Sequence, residues 1–340
     1  MILSGIGGCL APEIETNADI SAALDARPEW IERMTGITER RKVSEGLSTR
    51  DLAIRAGARA LVSAGNPDVD AVIVATCSPD RITPAVAPEV AQKLGVGQVA
   101  AFDINSGCSG FIYGLATAAG FISAGIARTV LLIGAEAYSV MINPVDRTTR
   151  PIFGDGAGAV VLRAGEDDED GTFGPIHLGS DGELCDLLSV AAGGSRYRSR
   201  NRQGGNETAH EDWYLKMDGR AVYGQAVARM AESARQVMAQ ANWSHDDLDW
   251  FVAHQANARI LRTVGFELGL TDEKVAVNIG RIGNTLTASI PLLLLDLANS
   301  GRLEANNRVL LGAFGAGLAW GATVLKWPNV AVSDVEWLAN

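Results

Sequence analysis

The sequence predicts an α/β fold assembled from two similar halves. Three observations point there. Apolar runs of strand length alternate with helical stretches, the same order recurs late in the chain, and glycine is abundant, with 38 in 340 residues. Glycine at that density suits tight turns and close backbone approach. With 47% hydrophobic and 20% charged residues, the chain can bury a large core, as one big domain or two intimately packed halves.

The first strand pattern spans residues 70–76, centred on an unbroken apolar run. A helix precedes it over residues 49–64, with Ser48 or Thr49 as its cap and Gly65 as its stop. Residues 130–134 and 158–162 read as two more buried strands. The order then returns. Residues 248–253 match the first strand and follow a helical stretch over 221–241. Residues 301–312 echo 125–132, and Gly315-Ala316-Gly317 with the strand at 322–325 echoes Gly156-Ala157-Gly158 and its strand. The paired segments lie nearly the same distance apart, which predicts a duplicated unit.

Duplication aligns two turns. Residues 103–108 occupy the place of 278–284, and the turn after Cys77 corresponds to the one carrying His254. If a pseudo-twofold relates the halves, equivalent strand ends converge near its axis. Cys108, His254 and Asn284 then share one cleft.

Composition narrows the function. A net charge of −11 argues against general nucleic-acid binding, and requires any dock for an acidic carrier to be a local basic patch. Cys9, Cys77, Cys108 and Cys185 form no CxxC pair or zinc spacing, so a reducing cytosol is the expected compartment. The N-terminus lacks a basic segment followed by an apolar run, so no leader is expected. No membrane span is expected either, since the apolar run at 290–295 stops at Asp296.

Cys108 follows a short strand and precedes a helical pattern over residues 109–124. A helix N-terminus stabilises a thiolate, and Ser106, Gly107, Ser109 and Gly110 leave room for a substrate at the sulfur. Cys9, Cys77 and Cys185 read as structural cysteines. His254 at a strand end and Asn284 in a turn gain weight from their places in the repeat. His177, His210 and His245 have no companions at metal spacing. Residues 154–158 look like a nucleotide loop but precede a strand, so the dinucleotide and P-loop readings fail.

Five segments together resemble β-ketoacyl-ACP synthase III: Asn105-Ser106-Gly107-Cys108-Ser109-Gly110-Phe111, Phe153-Gly154-Asp155-Gly156-Ala157-Gly158, His254-Gln255-Ala256-Asn257, Gly283-Asn284-Thr285 and Phe314-Gly315-Ala316-Gly317. The resemblance runs from about residue 5 to residue 325. It implies a thiolase-like five-layered αβαβα fold of two pseudo-twofold-related halves, 1–165 and 166–340, usually as a homodimer. It implies an acyltransferase that takes acyl groups from acyl-CoA onto Cys108 and condenses them with malonyl carried on acyl carrier protein, without a cofactor. By the same resemblance His254 and Asn284 donate hydrogen bonds to the malonyl thioester, and the N–H groups of Cys108 and Ala316 form the oxyanion hole. Trp30 and Arg147 sandwich the adenine, Phe153, Asn257 and Phe314 line the substrate site, and Arg259 belongs to the carrier dock. Thr83 and Leu286 border the acyl pocket.

The chain departs from the family in places. Met34 stands where the family usually has Arg, with Arg33 one position early. Thr83 stands where Phe often reaches into the partner's acyl pocket, and Leu286-Thr287 replaces Ser-Ala. Ala316 replaces Gly but keeps its N–H. These changes surround one tunnel, so plain acetyl-CoA is not expected to be the preferred donor. Arg196, Arg198, Arg200 and Arg202 read equally as a solvated loop or as a phosphate or carrier contact. Two other readings remain at this stage: acyl transfer from Cys108 to an O, N or S acceptor without decarboxylation, and a catalytically dead partner subunit. The intact Cys108 argues against the last.

Overall fold

The computed structural model describes residues 1–166, 169–200, 210–332 and 336–337. The first sheet contains β1 (Ile2–Leu10), β2 (Ala71–Ala75), β3 (Ala100–Ile104), β4 (Thr129–Glu136) and β5 (Gly156–Arg163), in the order β1-β5-β4-β2-β3. A short strand, Glu336–Trp337, pairs with the outer edge of β1. The second contains β6 (Phe173–Ser180), β7 (Trp250–Ala253), β8 (Arg308–Gly315) and β9 (Ala319–Lys326), in the order β6-β9-β8-β7.

The two sheets repeat each other. In the first, β1–β5 and β5–β4 are antiparallel while β4–β2 and β2–β3 are parallel. In the second, β6–β9 and β9–β8 are antiparallel and β8–β7 is parallel. A single parallel bridge from Phe251 to Val275 stands where β3 would be. Even the strand entrances match. Asp70 accepts from the N–H of Arg128 and Thr129 at 2.7 and 2.9 Å, and Asp249 accepts from the N–H of Arg308 at 2.7 Å. This carboxylate contact explains why the strand expected over 248–253 begins only at Trp250: Asp249 turns its side chain to the start of the neighbouring strand.

Helices fill the remaining layers. Thr49–Ser63 covers the outer face of the first sheet with Leu52, Ala53, Ala56 and Ala60, and a capping box between Ser48 and Asp51 fixes its start. Gly110–Ser123 and Ser289–Asn299 lie between the sheets, where Phe111, Ile112 and Leu115 meet Ile290, Leu293 and Leu294. The leucine run at 290–295 is therefore apolar because it faces sheet on both sides. Gly219–Gln240 and Ala258–Glu267 close the far face. The result is the five-layered αβαβα thiolase fold. Among the described residues no helix is long and apolar enough to cross a membrane.

Candidate active site

The nucleophile turn joins β3 to the Gly110–Ser123 helix. Gly107 adopts a positive φ of 54°. A Cβ at Gly107 would lie 2.6 Å from both N and O of Ala316, and one at Gly315 would lie 2.4 Å from N of Cys108. Only glycine permits that approach. It packs the main chain of residues 315 and 316 directly against that of residues 107 and 108. Ser109 contributes no side-chain cap to the helix; its hydroxyl turns back to Ser106 O at 2.6 Å.

His254 follows β7, and its N–H donates to Gly312 O at 2.8 Å. Its Nδ1 lies 2.8 Å from the Ser289 hydroxyl. That hydroxyl has one proton, donated to Leu286 O at 2.7 Å, and it accepts from the Gln255 N–H at 3.2 Å. The contact with His254 therefore needs an Nδ1–H donor, which leaves Nε2 a lone pair.

Asn284 is clamped to the segment before β5. Its N–H donates to Ile152 O at 2.9 Å and its C=O accepts from the Gly154 N–H at 2.9 Å. Its Oδ1 accepts from the Leu286 N–H at 2.9 Å. Nδ2 is thus turned into a donor for whatever enters the cavity.

Electrostatics change one expectation. Burial, with the Glu136 carboxylate second, pushes the Cys108 thiol up to about 12. The resting nucleophile is a thiol, not the helix-stabilised thiolate that its position suggests. Burial likewise holds the His254 imidazolium down to about 4, against a backbone hydrogen bond to Leu286 that favours the charged ring. Near neutral pH a protonated thiol and a neutral imidazole share the cleft.

Two cavities meet at Cys108. The front one, about 390 Å³, is bordered by Cys108, His254, Asn284, Phe153 and Phe314, and runs to a mouth with Trp30, Arg147, Asn257 and Arg259. At the mouth the Arg147 guanidinium carbon lies 5.5 Å over the Trp30 ring. A base between them needs about 7 Å, two contact distances, so the expected adenine sandwich forms only if Arg147 swings aside. Asn257 donates to Met34 O at 3.1 Å and caps the helix carrying Arg259. Arg33 does not replace the missing family arginine in this tunnel. It borders a separate polar cavity with Arg259, Arg262 and Arg281.

The back cavity, about 220 Å³, lies behind the sulfur and is walled by Cys77, Tyr138, Leu188, Val190, Leu215 and Leu286. Cys77, half-buried, packs against the apolar cluster around Tyr138 while it borders this cavity, and Cys185 is exposed. Thr83 is exposed and lines neither cavity of its own chain. Arg196 and Arg198 sit exposed on the Ser195–Arg200 helix, Arg198 bonding Gly193 O at 2.9 Å, while Arg202 lies outside the described residues. Sequence reasoning missed Ser289 and Glu136. A charge closing an otherwise apolar buried strand was the available signal for Glu136. Among the described residues no cluster of three His, Cys, Asp or Glu side chains could hold a metal.

Comparison with known proteins agrees with this geometry. Residues 102–182 match the family model described as 3-Oxoacyl-[acyl-carrier-protein (ACP)] synthase III, and residues 238–327 match its C-terminal model. The chain is 50% identical to "Beta-ketoacyl-[acyl-carrier-protein] synthase III 3" of Streptomyces coelicolor over 332 residues, covering 97% of this chain and 98% of the relative. It superposes on the crystal structure of the Pseudomonas aeruginosa PAO1 3-oxoacyl-(acyl carrier protein) synthase III with a TM-score of 0.91, at 43% identity, covering 97% and 99% of the two chains. The priming β-ketosynthase of the R1128 polyketide biosynthetic pathway aligns with a TM-score of 0.87 at 31% identity, covering 96% of each chain. The chain belongs to the 3-oxoacyl-[acyl-carrier-protein] synthase III family.

Proposed function

We propose that this chain loads an acyl group from a thioester onto Cys108 and condenses it with malonyl carried on acyl carrier protein, releasing CO₂. The observation that carries this reading is the meeting of Cys108, His254 and Asn284 in one cavity, with the main chain of residues 315 and 316 packed against the Cys108 turn. The names of the aligned synthases support it.

In loading, His254 Nε2 accepts the Cys108 proton as the sulfur attacks the thioester carbonyl. The oxyanion rests against the N–H groups of Cys108 and Ala316. The departing thiolate then takes the proton from His254, leaving acyl-Cys108 and a free thiol. In condensation the malonyl carboxylate leaves as CO₂ and Asn284 Nδ2 donates to the enolate oxygen. The enolate carbon attacks the acyl carbon, and Cys108 leaves with one proton taken from solvent. Preorganised donors of this kind contribute about 3 kcal/mol each. The steps call on no metal or redox group.

The starter is larger than acetyl. The back cavity of about 220 Å³ is several times the ~30 Å³ share of one water, which exceeds what two carbons fill. Acyl-CoA enters past Trp30 and Arg147. The carrier docks at Arg259, with Arg33, Arg262 and Arg281 beside it. Homodimer formation is supported by β3, a half-exposed edge strand, and by Ile82, 70% exposed in the segment that follows β2. Edges of this kind invite pairing with a second copy.

Intact mass spectrometry after incubation with acyl-CoA and acyl-carrier thioesters, with peptide mapping and a separate CO₂ assay, tests the reading. Acyl mass on Cys108 and malonyl-dependent CO₂ release are expected. Label on Cys77 with Cys108 free, or condensation without CO₂, overturns it.

A further inference from the structure

Packed against the turn that carries Asn284 is a cation with no solvent contact. Arg40, on the hairpin of Glu13–Thr16 and Glu39–Lys42, is 0% exposed. Its Nη1 donates to Glu15 O at 3.0 Å, and its Nη2 donates to Asn17 Oδ1 at 2.7 Å and to Pro151 O at 2.8 Å. Its Nε is buried without a partner. Among the described residues no carboxylate hydrogen-bonds to it. Burial pulls the guanidinium down to about 10, which leaves it a cation at neutral pH. A buried charge held only by neutral oxygens is a burden on stability. Filling space does not explain an arginine here, since an apolar side chain fills space without that burden.

The bonds of Arg40 fix the segment before β5. Pro151 O goes to Arg40, and Ile152 O accepts the Asn284 N–H at 2.9 Å. Gly154 donates to Asn284 O at 2.9 Å, and Asp155 donates to Arg41 O at 2.8 Å. Arg40 and Asn284 thus grip the same stretch at adjacent residues. The stem of Arg40 also meets the turn itself. A Cβ at Gly283 would lie 2.8 Å from Arg40 Cβ and 3.0 Å from Ile152 O, and one at Gly154 would lie 3.4 Å from Arg40 Cβ. Thr38, just before the second hairpin strand, donates its N–H and its hydroxyl to Gly280 O at 2.9 and 2.8 Å. Ile152 and Phe153 of the gripped stretch border the front cavity together with Asn284. One arginine is shared by the cavity wall and the turn that bears the amide.

We propose that Arg40 is a positioning residue acting through Asn284: its guanidinium holds Pro151 and its stem holds Gly283, so that the Asn284 amide meets the malonyl thioester at a fixed place. A guanidinium suits the task because two nitrogens on one rigid plane hold three acceptors at once, which a lysine ammonium on a flexible stem does not. Asn284 keeps the malonyl role proposed above, and the experiment separates a failure of that role from a failure of Arg40.

The experiment is a double-mutant cycle in the full chain, combining Arg40→Met, which keeps a stem and removes the guanidinium, with Asn284→Ala. Malonyl decarboxylation is followed by CO₂ release and loading of Cys108 by intact mass. Arg40→Met alone is expected to lower kcat for decarboxylation by about 10–100-fold, as a displacement of about 1 Å does, and to leave loading within a few-fold. In the Asn284→Ala background the same change should add less than about twofold, because the amide it places is gone. An equal fold loss in both backgrounds means that Arg40 supports the fold at large, and overturns the proposal. An equal loss of loading and decarboxylation overturns it too, as does a wild-type rate of decarboxylation in Arg40→Met. Full decarboxylation in Asn284→Ala overturns the malonyl role and this proposal together, whereas additive losses overturn this proposal alone. If Arg40→Met does not fold, Arg40→Lys passes through the same cycle: a loss that disappears with Asn284 supports the proposal, and no loss or an additive one overturns it.

Discussion

The spaces before and behind Cys108 differ in kind. The front cavity is furnished by polar groups: the His254 ring, the Asn284 amide and the Cys108 sulfur. The back cavity is a shape, walled by Tyr138, Leu188, Val190, Leu215 and Leu286, with Cys77 as its odd member. The front residues His254, Asn284, Phe153 and Phe314 follow the family pattern, whereas Met34 in the same cavity and Leu286 at the back do not. The lesson is that one sulfur serves two masters. On the proposed function, the front fixes which reaction occurs and the back decides which acyl group undergoes it.

The most severe break of this division is Cys108→Ala, which removes the atom common to both spaces. No acyl-enzyme should form with any thioester, and condensation should fall to background by product assay. Next come the two front side chains, which the geometry separates. Asn284→Ala is expected to lower malonyl decarboxylation by about 10²–10³-fold while leaving loading of Cys108 within a few-fold. His254→Ala should instead slow loading, by about 10²–10⁴-fold, because it removes the acceptor for the thiol proton. Loading measured by mass and decarboxylation measured by CO₂ release distinguish the two. Equal effects on both steps in both variants would erase the assigned difference.

The back cavity is probed more gently. Leu286→Ser should shift the ratio of kcat/KM between starter chain lengths by about 10–200-fold, equivalent to ~1–3 kcal/mol for a change of a methylene or so in fit. Decarboxylation of malonyl in the absence of starter should stay near wild type. A uniform loss for every starter would mean that Leu286 supports Asn284, whose Oδ1 takes the Leu286 N–H, and not the acyl wall. Smallest is the mouth. Trp30→Ala should raise KM for acyl-CoA by a few-fold, in line with the ~0.5–1 kcal/mol of an exposed cation–π contact, and leave acyl-carrier donors unaffected.

Much of the front was legible in the sequence and little of the back. Cys108, His254 and Asn284 sit in turns that follow equivalent strands of a repeated unit, so a one-dimensional pattern pointed to a three-dimensional meeting. The matched Asp70 and Asp249 contacts show how literally the repeat is built. By contrast, Glu136 bonds Cys77 from 59 residues away and Thr287 from 151 residues away. Nothing periodic relates those positions. The His254 tautomer is equally hidden, since it depends on where one hydroxyl proton of Ser289 goes. Position at a helix start suggested an easily ionised Cys108, but burial outweighs that contribution, and burial of a turn residue is not written in its neighbours.

The glycine contact between residues 107 and 315 has an evolutionary consequence. On the proposed function, the anion-receiving groups belong to the peptide backbone, so exchange of the side chains at 108 or 316 cannot delete them. Ala316 already stands where relatives use glycine, at no cost to the N–H. A descendant that lost its sulfur would therefore still polarise a thioester carbonyl and still present the Asn284 amide. It would be an idle transferase but a ready-made decarboxylase or binder. The freedom to change is confined to side chains, and the constraint falls on two positions that have none.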